Sequence, residues 1–182
     1  MIRLLLVDDL VIFRQGLAAL ISLEPDIEVV GEAGNGEEAI SLAQTLRPDV
    51  ILMDVRMPIC NGVEATKVIH QRFPWIRIMV LTTFDEDEYI CQSLQNGALG
   101  YILKSTPSQQ LAATIRSLDR GFGQLDPAIA LKVFARIPER EIMPASVPAV
   151  LEQFNHSEIE ILKHIGKGKS NREIAIDLHV TE

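Results

Sequence analysis

A chain of 182 residues exceeds one average domain and falls short of two full ones, so a domain of ordinary size plus something smaller is expected. An apolar content of 47%, with 11 Gly and 9 Pro, excludes disordered and fibrous classes. A formal net charge of −8 excludes a generally basic surface for nucleic acid or anionic lipid, so any DNA contact has to be local.

The opening Met1-Ile2-Arg3-Leu4-Leu5-Leu6-Val7 is apolar, but Asp8-Asp9 cuts it off too early for a signal peptide. No later run approaches the length of a membrane span, and a cytosolic protein with no membrane partner is expected. Cys60 and Cys91 form neither a disulfide framework nor a zinc pattern, and both read as free thiols with Cys91 on a helix.

From residue 2 to about 120, short β-rich apolar runs alternate with segments of helical period. The runs are Ile2 to Val7, Ile27 to Ala33, Val50 to Met53, Ile76 to Leu81 and Tyr101 to Leu103. The helical segments lie near 11 to 22, 37 to 46, 62 to 72, 86 to 96 and 108 to 119, with Gly and Pro between them. Five such βα units predict a five-stranded, doubly wound parallel sheet, which binds ligands outside the carboxyl ends of its strands. Beyond Gly121-Phe122-Gly123, Pro127 opens a helix to about Ala135, and Pro138, Pro144 and Pro148 then mark a linker.

The last stretch is helical again. Asn155-x-x-Glu158 reads as a capping box with Phe154 and Ile159 as a hydrophobic staple, and Ser170-x-x-Glu173 reads as a second box. Gly166 to Lys169 supplies a turn between two helices, and Thr181-Glu182 reads as the cap of a third. The expected organisation is a domain over 1–120, a linker with one helix over 121–150, and an incomplete all-α domain over 151–182.

The chemistry lies at the ends of the apolar runs. Asp8-Asp9, Asp54, Thr82-Thr83 and Lys104 each close one run, so a parallel sheet would deliver their side chains to a single edge. Mg2+ prefers oxygen ligands and needs few carboxylates beside a phosphate oxygen, and crowding of Asp8, Asp9 and Asp54 calls for a cation. A carboxylate can also act as nucleophile toward a phosphoryl donor. In that reading Asp54 receives the phosphoryl group, Lys104 and the metal carry the developing charge, and the Thr82 hydroxyl donates to a phosphoryl oxygen. Taken singly, each has an ordinary alternative: Asp8-Asp9 as a helix cap, Asp54 as a turn residue, Thr82 as a strand-end hydroxyl, Lys104 as a solvated charge.

With these motifs assembled, the chain resembles the bacterial two-component response regulators of the NarL/FixJ class. The resemblance rests on Leu6-Val7-Asp8-Asp9, on Ile51 through Pro58 with Gly62 beyond, on Val80-Leu81-Thr82-Thr83 and on Gly97 through Lys104. It implies a flavodoxin-like receiver with Asp54 as phosphoacceptor. It further implies that Asp9, Asp54 and the backbone carbonyl of Arg56 bind Mg2+, with Asp8 assisting, and that Lys104 is the phosphate partner. Thr82 and Tyr101 match the switch pair: Thr82 moves toward the phosphoryl group, Tyr101 rotates inward, and the segment from Phe84 to Gly100 repacks. Tyr101 also reads as a half-buried core aromatic, which it would equally be in the inactive state of the switch, so the two readings are compatible. Ser105-Thr106 separates Lys104 from Pro107, where many receivers have a proline directly after the lysine.

Residues 154 to 182 resemble the opening of a LuxR-type helix-turn-helix domain, most specifically in Lys169 through Ala175. The helix that would read the major groove should begin near Glu182, so the recognition helix is expected to be missing. Lys163, Lys167, Lys169 and Arg172 face Glu152, Glu158, Glu160, Glu173, Asp177 and Glu182, which is no electrostatic footprint for DNA. The implied partners are a sensor histidine kinase, a second copy of the chain upon phosphorylation, and promoter DNA for the complete protein. No enzyme activity is expected beyond self-phosphorylation and dephosphorylation. The alternative is a signalling receiver acting only through protein contacts.

Two rivals fit the residues less well. Gly34-Asn35-Gly36-Glu37-Glu38-Ala39 matches a dinucleotide fingerprint, but follows the second strand, and Glu37-Glu38 would repel a pyrophosphate, so a tight βα turn is expected. A phosphatase of the haloacid dehalogenase type needs an acid two residues after its nucleophile, where this chain has Arg56.

Overall fold

The computed structural model describes residues 1–83, 87–136, 156–166 and 177–178. Five strands, β1 (Ile2–Val7), β2 (Ile27–Ala33), β3 (Val50–Asp54), β4 (Arg77–Thr82) and β5 (Gly100–Leu103), alternate with α1 (Val11–Ile21), α2 (Gly36–Leu46), α3 (Gly62–Arg72), α4 (Asp87–Gln95) and α5 (Ser108–Asp119). A short β6 (Gln124–Leu125) and α6 (Pro127–Arg136) follow, and α7 (His156–Gly166) lies further on. All pairings are parallel and the strand order is β2-β1-β3-β4-β5-β6. The order reverses between β1 and β3, so the carboxyl ends of those two strands flank the crevice of the doubly wound sheet.

The apolar runs are continuous because the central strands are covered on both faces. On one face Leu4, Leu6 and Leu52 pack with Leu17 and Ile21 of α1 and Leu111, Ile115 and Leu118 of α5. On the other, Leu5, Val7, Ile51, Met53 and Ile78 pack with Ala39 and Ala43 of α2 and Ala65 and Ile69 of α3. A third cluster joins Val55, Val80, Tyr101 and Leu103 to Ile90 of α4 and Ile129 of α6.

Local chemistry marks the helix ends. The Asn35 side chain accepts the Glu38 amide at 3.0 Å, while Glu38 reaches back to the Gly34 amide at 2.8 Å. Gly34 to Ala39 is therefore a capped βα turn. Asn61 caps α3 in the same way through the Glu64 amide at 2.9 Å. α2 ends at Arg47 in the left-handed region, just before Pro48. In α7, Glu158 sits in the first turn and Lys163 and His164 in the last, complementing the helix dipole.

The sheet has six strands where the apolar runs indicated five. Gly121-Phe122-Gly123 does not end the domain, because β6 pairs with β5 beyond it, Gly100 beside Gln124 and Tyr101 beside Leu125. Glycines permit the approach: a Cβ on Gly100 would lie 2.6 Å from the Gln124 carbonyl, and one on Gly123 would lie 2.6 Å from the Leu99 carbonyl. A two-residue strand has too little pattern to be read from sequence. α6 then buries Ile129 against the third cluster, and the compact unit runs from Met1 to Ile137.

The strand β3 includes Asp54 itself, and β4 is shifted one residue from the expected run. Among the described residues no peptide bond is cis. The prolines at 138, 144 and 148, both expected capping boxes apart from Glu158, and the cap at Thr181 lie outside the described residues.

If α6 is an integral layer, replacing Ile129, 2% exposed, by Ala should cost about 2–4 kcal/mol in urea unfolding. Replacing Leu131, 72% exposed on the same helix, should cost no more than about 0.5 kcal/mol. Equal effects would contradict the packing assigned to α6.

Candidate functional site

The three carboxylates singled out in the sequence meet at the carboxyl ends of β1 and β3. One oxygen from each of Asp8, Asp9 and Asp54 lies within 4.8 Å of the others, with Asp8 and Asp54 buried and Asp9 exposed. Lys104, just after β5, enters the same cluster. Its Nζ stands 2.7 Å from Oδ2 of Asp8 and 3.0 Å from Oδ1 of Asp54. Parallel register explains the convergence, since β1, β3 and β5 all end on one edge of the sheet.

Backbone amides hold two of the carboxylates. Asp54 Oδ1 accepts the Val55 amide at 2.8 Å, and Asp8 Oδ1 accepts the Leu10 amide at 2.9 Å. Leu10, not Asp8 or Asp9, is the N-cap of α1, so the helix-cap reading of that acidic pair does not hold. Beyond β3 the loop returns so closely that a Cβ on Gly62 would lie 1.9 Å from the Asp54 carbonyl. Only glycine fits there, and the Gly62 amide closes the loop on the Val55 carbonyl at 2.9 Å. Asp9, Val55, Arg56, Met57, Pro58, Asn61 and Tyr89 line an adjoining open cleft of about 470 Å³. The Arg56 guanidinium stands 6.0 Å from the centre of the Tyr89 ring.

Thr82 ends β4 beside Leu103, and its carbonyl accepts the Lys104 amide at 2.7 Å. Its hydroxyl, buried with the residue, donates to the Thr83 carbonyl at 2.9 Å. Tyr101 is fully buried, 0% exposed, among Val80, Ile90 and Ala98. The half-buried reading of this ring is therefore corrected: the short β5 turns it into the space beneath α4 and α6.

The response regulator receiver domain matches residues 4–116. The chain belongs to the response regulator receiver family. The transcriptional regulatory protein LiaR of Bacillus subtilis strain 168 is 41% identical over 181 residues, covering 100% of this chain and 84% of its own length. LnrK of the same strain is 36% identical over 186 residues, with the same 100% and 84% coverage. A LuxR-family two-component response regulator from Aurantimonas sp. SI85-9A1 superposes with a TM-score of 0.69 at 32% identity, covering 74% of this chain and 96% of that one.

Burial dominates the electrostatics of this response regulator's acidic pocket. Loss of hydration pushes the Asp54 carboxyl up to about 6, with Lys104 opposing the shift, Asp8 adding to it, and the Val55 amide opposing it. For Lys104 burial works the other way, but its contacts with Asp8 and Asp54 outweigh it and hold the ammonium above the ordinary lysine range. The lysine therefore stays charged. The side chains clustered there offer only carboxylate oxygens, which suits a hard divalent cation.

Two neighbours of the pocket were not singled out from sequence. The Phe13 ring centre lies 5.0 Å from Lys104 Nζ, and the Arg14 guanidinium donates to the Asp8 carbonyl. An arginine inside the otherwise apolar face of α1 is the only sequence signal for either. Cys60 and Cys91 are free thiols, and burial raises the Cys60 pKa, with Glu64 and Glu37 adding to the effect.

Asp54 binds its proton more tightly in the fold than in the unfolded chain, because its pKa is about 6 against an ordinary 3.8. It therefore costs stability as pH rises through that window. In metal-free buffer at about pH 7, Asp54→Asn should unfold with about 1–3 kcal/mol more stability than wild type. The difference should close as pH falls toward 3.8. A gap that stays constant with pH, measured by urea unfolding, would contradict this assignment.

Proposed function

We propose that Asp54 accepts a phosphoryl group from the phosphohistidine of a sensor kinase and that the phosphorylated chain acts as a switch for transcription. The observation that carries this reading is the convergence of Asp8, Asp9, Asp54 and Lys104, with the ammonium 3.0 Å from the receiving carboxylate. The Asp54 carboxylate attacks phosphorus. The P–O bond forms as the P–N bond breaks, and the leaving imidazole takes back its electron pair and a proton from solvent.

Asp8, Asp9, Asp54 and the backbone carbonyl of Arg56 would hold Mg2+. Three carboxylates within 4.8 Å fit such an ion because they repel one another, and Lys104 pairs with Asp8 and Asp54. When bound, Mg2+ supplies charge neutralisation to the crowded oxygens. Lys104 holds a fixed positive charge where the phosphoryl oxygens arrive. The Thr82 hydroxyl exchanges its Thr83 carbonyl acceptor for one of them.

Movement of Thr82 opens space next to Tyr101, whose buried position beneath α4 and α6 supports a switch read out on that side of the sheet. The chain performs no turnover beyond its own phosphorylation and hydrolysis. No described helix is long and apolar enough to cross a membrane. The likeness to response regulators supports assignment of the protein to the cytoplasm. In this reading the receiver takes in β6 and α6 and runs from residue 1 to about 137, and 151–182 belong to a LuxR-type helix-turn-helix. Phosphorylation favours a homodimer, and promoter DNA is a partner of the complete protein.

Incubation with acetyl phosphate and Mg2+ should add one phosphoryl group to the wild type by intact mass, and none to Asp54→Asn. Chelation of the metal should abolish the gain, and Lys104→Ala should slow it by about 10²-fold or more. Labelling of the Asn variant at the wild-type rate would overturn the assignment.

A further inference from the structure

Arg14 sits in α1 with its side chain 14% exposed, and its guanidinium works in two directions. Nε donates to Oε2 of Glu32 on β2 at 2.9 Å, and Nη1 donates to the backbone carbonyl of Asp8. The main chain at Asp8 is thus held on three sides. Its amide donates to the Ala33 carbonyl at 3.0 Å, its side chain accepts the Leu10 amide at 2.9 Å, and its carbonyl accepts from Arg14.

The third anchor has a particular consequence. The Asp8 carbonyl and the Asp9 amide belong to one rigid peptide plane, so fixing the oxygen fixes the direction in which Asp9 leaves the strand. Asp9 is the exposed member of the carboxylate set, with the least packing to orient it. Glu32 in turn locks the planar guanidinium, whose fork geometry lets one side chain serve both acceptors.

We infer that Arg14 is a positioning residue for the divalent cation, acting through the Asp8-Asp9 peptide and not by contact with the ion. The inference rests on the proposed reading that the carboxylates of Asp8, Asp9 and Asp54 hold that cation. It differs in sign from a plain charge effect. As a nearby cation, Arg14 repels a divalent ion, and its removal would tighten binding. As a clamp, its removal loosens binding.

The test is Mn2+ binding to the full chain, read by electron paramagnetic resonance of the free ion, with no phosphoryl donor present. Arg14→Met should raise the dissociation constant about tenfold. Arg14→Lys keeps the charge but not the two-way fork, and should fall between wild type and Arg14→Met. Glu32→Gln, at a position whose side chain is 35% exposed, should weaken binding by less than Arg14→Met while folding normally. It and Arg14→Lys decide the matter if Arg14→Met does not fold. Affinities equal to or tighter than wild type in the folded variants would overturn the role of Arg14 and leave the site intact. A wild-type chain that binds no Mn2+ would overturn the reading of the site and this inference with it.

Discussion

A single ammonium among buried carboxylates is the interaction on which this molecule depends. Lys104 stands within 3.0 Å of both Asp8 and Asp54, which are themselves almost entirely out of water. Burying like charges side by side is unfavourable, and a lysine between them offsets only part of the cost. The remainder appears in Asp54, whose carboxyl titrates near 6 instead of near 3.8. A pocket held in that condition is receptive to further positive charge.

The fold exists to keep that arrangement rigid. Two apolar clusters, one beneath α1 and α5 and the other beneath α2 and α3, clamp the central strands from both faces. Backbone amides of Leu10 and Val55 orient two of the carboxylates, and Gly62 lets the loop after β3 pass against the Asp54 carbonyl. The donors in these contacts are backbone groups, so the site is set by the course of the chain. The third cluster differs, because it ties strand residues to α4 and α6 through Tyr101, whose β4 neighbour Val80 lies two residues before Thr82. It is the natural place for a change at Asp54 to be felt elsewhere.

Most of this architecture was legible in the residues. Continuous apolar runs such as Leu4 to Val7 and Val50 to Met53 announce strands buried on two faces, and polar groups at their ends announce an edge rich in chemistry. The capped turn at Gly34 to Ala39 was legible as well, because Glu37 and Glu38 argue against a bound anion. Other features were hidden. Gln124-Leu125 is too short to show a strand pattern, and its pairing depends on Gly100 and Gly123 making room. Tyr101 carries the same amphipathic ring whether half or wholly covered, and only the packing of Ile90 and Ile129 decides the matter. Arg14 and Phe13 gave no motif at all.

Sequence by itself determined the doubly wound parallel class of the sheet, the family and the set of groups at the strand ends, because periodicity and residue type are local properties that neighbours in the chain display directly. Tertiary structure alone decided which oxygen meets which nitrogen, how far Asp54 is removed from water, and that an arginine one turn into α1 braces the Asp8 carbonyl. Those are distances between segments far apart in the chain. They arise only when strand register, helix packing and loop closure act together, and no stretch of residues encodes them alone.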